Sequence, residues 1–128
     1  MDVYAILLTL HNATAGLTLL GTLVAAGVLF FTAQTTGTWS ALILRATLIL
    51  ASLQAVLGIL MLVIGQNFAY WFHYLLGLVA VGVVSAAVAR ARRAPDREAR
   101  RYGGILLGVF VLVLVAFLTG QYRGAVMS

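Results

Sequence analysis

Apolar residues fill four long stretches of the chain, about residues 3–31, 40–65, 69–89 and 102–120, and polar residues gather in the short segments between them. A hydrocarbon core about 30 Å thick is crossed by about 20 apolar helical residues, so each stretch is long enough to span. The pattern predicts four transmembrane helices in a single domain of residues 1–128. Their connections are residues 32–39, then Gln66-Asn67-Phe68, then the charged run 90–101 that holds the only proline, Pro95. Connections this short make sequential helices antiparallel, and the expected fold is all-α, an integral membrane four-helix bundle running up-down-up-down. The first stretch is not expected to be a removable signal peptide: Asp2 is the only charge before it, and its apolar run far exceeds the 7–15 residues of such a signal.

Composition sharpens this picture. Hydrophobic residues make up 63% of the chain and charged residues 9%, against about 25% charge in ordinary soluble domains, which excludes a soluble globular protein. Cysteine is absent, which removes disulfides, thiolate nucleophiles, Fe–S clusters and cysteine-type zinc sites. All eight basic residues are arginine. Six of them (Arg90, Arg92, Arg93, Arg97, Arg100 and Arg101) lie in the third connection and Arg45 near the start of the second stretch, while Arg123 alone lies toward the other side. By the positive-inside rule the third connection is cytoplasmic and both termini face outward, in what is expected to be a prokaryotic plasma membrane. Tyr70, Trp71, Tyr74 and Tyr122 then fall near the outer interface, where amphipathic rings prefer to sit. Arg45 is read as an inner-interface anchor that snorkels. The arginine run is read as a solvated topology determinant whose natural contacts are anionic lipid headgroups, and no nucleic-acid partner is expected.

The two histidines carry the candidate chemistry. His11 lies on the first stretch and His73 on the third, about 20 and 17 residues from the cytoplasmic ends of their helices, or roughly 25–30 Å at 1.5 Å per residue. They are expected at the same depth on parallel helices. Diagonal helices of a bundle stand on the order of 12–14 Å apart, a gap that suits a flat macrocycle ligated on both faces and is too wide for two imidazoles to touch. The helical stripe around His11 is Thr14, Ala15, Thr18, Thr22 and Ala25, and that around His73 is Leu76, Gly77, Ala80, Val84 and Ala87. Small residues on an inner face either let helices close together or leave a slot for a cofactor. A lone intramembrane histidine commonly just bonds a neighbouring helix. The matched pair points instead to haem b with His11 and His73 as axial ligands, and with Thr14, Thr18, Gly77 and Ala80 lining the slot. Gln121, Tyr122 and Arg123, on the outer side, are the candidate donors for the haem propionates. Zinc is disfavoured, because the spans offer no carboxylate or thiol to complete a tetrahedral site.

The order of one histidine on the first helix and one on the third, 62 residues apart, together with LQAVLGILMLVIGQ before WFHYLLGLVAVGVV, resembles one half of haem A synthase. That family is built from two four-helix bundles related by pseudosymmetry, each with a histidine on its first and third helices, and the resemblance covers essentially this whole chain. It departs from the catalytic half in three places. Leu8 stands where that half has a glutamate, Asn12 where an arginine commonly follows the histidine, and the outer-loop cysteine pair is missing. The resemblance therefore implies the half that holds a haem b cofactor, with electron transfer or haem handling as its chemistry. The alternatives are a compact haem A synthase, an oxidoreductase acting as a homo-oligomer, and a haem-free small subunit of a respiratory complex.

Three further signals are weaker. Asn12-Ala13-Thr14 matches a glycosylation pattern but lies inside a span. Gly104 and Gly108 have the small-xxx-small spacing of helix contacts and suggest a homo-oligomer. Ser52 and Gln54, at mid-membrane, are candidates for hydrogen bonds across the bundle.

Overall fold

A computed structural model describes residues 2–65 and 70–127, with side chains through residue 121. Four helices dominate it: α1 (Val3–Thr32), α2 (Thr38–Gly65), α3 (Trp71–Arg93) and α4 (Ala99–Met127), with a 3-10 turn at Asp96–Glu98. All four are long and apolar enough to cross a membrane. The helices overrun the apolar stretches at the arginine-rich end. Arg90, Arg92 and Arg93 form the last turn of α3, where cations suit the negative end of the helix dipole, and Arg100 and Arg101 open α4. The third connection is therefore much shorter than the charged run from which it was expected. Gln66 and Asn67 lie outside the described residues.

Local chemistry sets the helix ends. The Asp2 carboxylate accepts from the Ala5 amide at 2.7 Å and caps α1. At its far end Ala33 turns left-handed (φ 53°) and its N–H reaches the Leu29 carbonyl, which stops the helix. The next residues are tied to the α3–α4 connection. Asp96 Oδ1 accepts from the amides of Thr35 (2.8 Å) and Thr36 (3.1 Å) and from the Thr36 hydroxyl (3.0 Å), while the Thr35 hydroxyl donates to the Ala94 carbonyl at 2.6 Å. These bonds, the Thr35 amide first, hold the exposed Asp96 carboxyl below the ordinary carboxylate range.

Each helix packs on its sequence neighbours, and α1 also packs on α4, so α1 and α3 stand on one diagonal. Hydrogen bonds tie α1 to α2 through His11 and Gln54, and α3 to α4 through His73 and Thr119. The N-terminal halves of α1 and α3 thus meet the C-terminal halves of α2 and α4, and chain direction alternates around the ring. The core is built from small and medium side chains such as Ala25, Leu29, Leu44, Val84, Val88 and Leu106. Gly103 lies against the α1 backbone: a Cβ there would stand 2.9 Å from the Phe30 nitrogen and 3.0 Å from the Ala26 oxygen, so only glycine lets α4 lie this near α1. Its neighbours Gly104 and Gly108 face outward, with nothing within 4 Å of a Cβ, and contribute nothing inside the bundle.

The buried positions recur along the chain. Thr18, Thr22, Ala25, Ala26 and Leu29 on α1 are matched 62 residues later by Ala80, Val84, Ala87, Val88 and Ala91 on α3, all of them buried. Leu44, Thr47 and Ala51 on α2 are matched at the same offset by Leu106, Val109 and Val113 on α4. His11 and His73 obey this offset, as do Gly58 and Gly120. The bundle is two helical hairpins, α1–α2 and α3–α4, presenting equivalent faces to each other, the arrangement of a parallel internal repeat.

Candidate functional site

The histidines meet at the end of the bundle away from the arginine-rich third connection. His11, eight residues after the start of α1, and His73, two after the start of α3, have ring centroids 6.3 Å apart and planes at 82°. The gap was expected to be too wide for two imidazoles to touch, whereas the rings stand edge to face at this separation.

Each ring is braced from the following helix of its own hairpin. On α2, the Gln54 side-chain nitrogen lies 3.1 Å from Nδ1 and 3.2 Å from Nε2 of His11, and its carbonyl oxygen meets the Thr14 hydroxyl. Gly58, one turn further along, leaves room for the ring: a Cβ there would stand 3.6 Å from His11 Cε1. On α4, the Thr119 hydroxyl lies 3.3 Å from His73 Nδ1 and donates its own proton to the Ala116 carbonyl at 2.7 Å. Gly120 is the tighter of the two glycines, since a Cβ there would stand 2.8 Å from His73 Cε1.

A cavity of about 260 Å³ surrounds the pair and is lined from all four helices. Of the candidate residues, His11, His73, Thr18, Gly77, Ala80 and Gln121 line it. Thr14 is not on the wall and enters through Gln54. The hydroxyls of Thr18 and Thr22 donate to carbonyls one turn back in α1, at 2.8 and 2.7 Å, so they can be buried without a partner across the bundle. Ile59, Leu75 and Leu78 line the cavity while remaining exposed, so its α2–α3 side is continuous with the outer apolar surface. The side chains of Tyr122 and Arg123 lie outside the described residues. Ser52 makes no cross-bundle bond and returns its proton to the Leu48 carbonyl of its own helix at 2.8 Å.

The donor set decides what the site can hold. Among the described residues no three His, Cys, Asp or Glu side chains gather into a metal-binding group, so a tetrahedral ion is not served. Two imidazoles suffice for a metal whose equatorial ligands come from a macrocycle. A metal–imidazole bond of about 2.0 Å puts each ring centre about 3.2 Å from the metal, so two rings on opposite sides of it would stand about 6.4 Å apart. The observed ring-centre separation of 6.3 Å is close to that distance. Gln54, a candidate for hydrogen bonds across the bundle, makes them to Thr14 and His11, while Thr119, Gly58 and Gly120 are site residues that sequence reasoning did not assign. The partner of Gln54 was not legible in the sequence, and the two glycines were legible only through the 62-residue offset from the histidines.

No protein-family model matches the chain, and neither a curated protein nor a solved structure does. The likeness to haem A synthase rests on the residues quoted for it above.

Proposed function

We propose that this protein is a membrane cytochrome-like module that binds one b-type haem between His11 and His73. The observation that carries the reading is the 6.3 Å separation of two imidazoles on diagonal helices, inside a cavity walled by small and apolar side chains. A haem held there would pass single electrons between its ferric and ferrous states. With both axial positions taken by histidine there is no open site for oxygen, which favours electron transfer or haem handling over oxygen activation. Gln121 stands at the cavity wall, where a propionate would seek a donor. The arginine-rich end is placed in the cytoplasm of a prokaryotic cell and the histidines near the outer leaflet, on the count of arginines.

The test is the reduced-minus-oxidised absorption spectrum of the purified protein after supply of haem b. The parent is expected to give a six-coordinate low-spin spectrum, and His11→Ala and His73→Ala are each expected to lose it while still inserting into the membrane. Insertion follows summed apolarity, which one imidazole barely changes. A parent without bound haem, or a single mutant with the full parental spectrum, overturns the reading.

A further inference from the structure

The cavity around the histidines reaches the outside of the bundle, and its exposed lining residues differ in chemistry from side to side. On α2 and α3 they include Ile59 (57% exposed), Leu75 (52%) and Leu78 (61%), all aliphatic. On α1 and α4 they are Asn12 and Gln121, both amides. Gly77, next to Leu78 on the α3 wall, adds open space, since a Cβ there would meet nothing within 4 Å. Ile59 directly follows Gly58, which faces the His11 ring, and Leu75 lies two residues after His73, so the aliphatic opening stands at the depth of the rings.

We infer that this opening is the entry port of the cavity, admitting haem b sideways from the bilayer between α2 and α3, with Ile59 and Leu78 as its gate. This rests on the proposed haem site. Haem b is apolar around most of its rim, so the bilayer carries it more readily than water does. Acyl chains are as apolar as leucine, and a ligand passing from them to Ile59, Leu75 and Leu78 changes its surroundings little. On the other side it would have to displace two amides. The seam also suits passage, because α2 and α3 belong to different hairpins. The bond of His11 to Gln54 and that of His73 to Thr119 each lie within one hairpin, so gate side chains can swing aside while both bonds persist. Glycine contacts draw the other seams together: Gly21 and Gly58 set α2 against α1, Gly103 sets α4 against α1, and Gly120 sets α4 against His73. At the arginine-rich end Asp96 ties the two hairpins through Thr35 and Thr36, and entry beside the histidines leaves that tie in place.

A gate changes the rates of entry and exit alike and leaves the equilibrium alone, which separates it from a residue that merely packs on the bound ligand. The experiment places the haem-free full chain in vesicles whose bilayer carries haem b and follows growth of the six-coordinate low-spin spectrum, then release to an excess of apomyoglobin. Ile59→Trp and Leu78→Trp are each expected to slow uptake and release about tenfold, since pushing past an added ring costs about what overpacking costs a core, with the final bound fraction unchanged. Leu78→Ala is expected to speed both. Leu17→Trp, at an exposed α1 position of similar depth off the cavity wall, is expected to match the parent. Tryptophan variants as fast as the parent, equal slowing by Leu17→Trp, slowing by Asn12→Trp in place of Leu78→Trp, or unchanged rates in Leu78→Ala overturn the inference while leaving the haem reading intact. A parent that binds no haem overturns both.

Discussion

Adding one methyl group at each of two equivalent glycines gives a sharp test of the site's geometry. Gly58 and Gly120 occupy matching places in the two hairpins, each beside a histidine ring, yet the space differs. A Cβ at residue 58 would meet His11 Cε1 at 3.6 Å, an ordinary contact. At residue 120 it would meet His73 Cε1 at 2.8 Å and both ring nitrogens at 3.3 Å. Bringing 2.8 Å to an acceptable 3.4 Å moves the ring by about 0.6 Å, which exceeds the tolerance of about 0.5 Å within which a ligand set keeps its geometry. Alanine in place of helical glycine contributes about 1 kcal/mol through propensity, and overpacking costs about 1–3 kcal/mol. Gly58→Ala is therefore expected to raise stability by up to about 1 kcal/mol, and Gly120→Ala to leave it unchanged or lower it by up to about 2 kcal/mol. Denaturation of the detergent-solubilised protein reads this with or without haem, and the haem spectrum should change in Gly120→Ala alone. Equal effects of the two substitutions, or a larger loss in Gly58→Ala, would refute the reasoning.

The remaining predictions concern the other end of the bundle. A reporter fused after Ser128 is expected on the outer face and one inserted at Arg97 in the cytoplasm; reversed labelling would invert the assigned orientation. Gly103→Ala, whose Cβ would press on the α1 backbone at 2.9–3.0 Å, is expected to destabilise the fold more than Gly104→Ala, which meets nothing. Because Asp96 titrates below its ordinary value, its bonds to Thr35 and Thr36 persist at neutral pH and are lost as pH falls below about 4 through the lowered folded value. Hydrogen-exchange protection of the Thr35 and Thr36 amides should fall over that range, and Asp96→Ala should remove both the protection and its pH dependence.

How far the sequence speaks differs from feature to feature. Four spans are legible because an apolar run of about 20 residues has few alternative fates. Their ends are not, because a helix continues past the hydrocarbon wherever its backbone bonds remain satisfied, as α3 does through Arg93 and α4 from Ala99. The histidine pair is legible by counting depth along two helices. The brace on His11 is not, since a glutamine in a span does not announce which neighbour it faces. Thr22 against Val84, and Thr47 against Val109, show why the repeat is hidden: the halves share buried positions rather than residue types.

The repeat bears on how the chain is threaded. Each hairpin carries one histidine, one ring-facing glycine and half of the central packing, and the first turn of α1 lies at the same end of the bundle as the last turns of α4, its neighbour in the ring. Joining the present termini with a flexible tether and opening the chain between α2 and α3 would yield a gene that starts at Trp71 and ends at Gly65. Such a circular permutant asks nothing new of the packing, because either hairpin can be synthesised first and wait for the other.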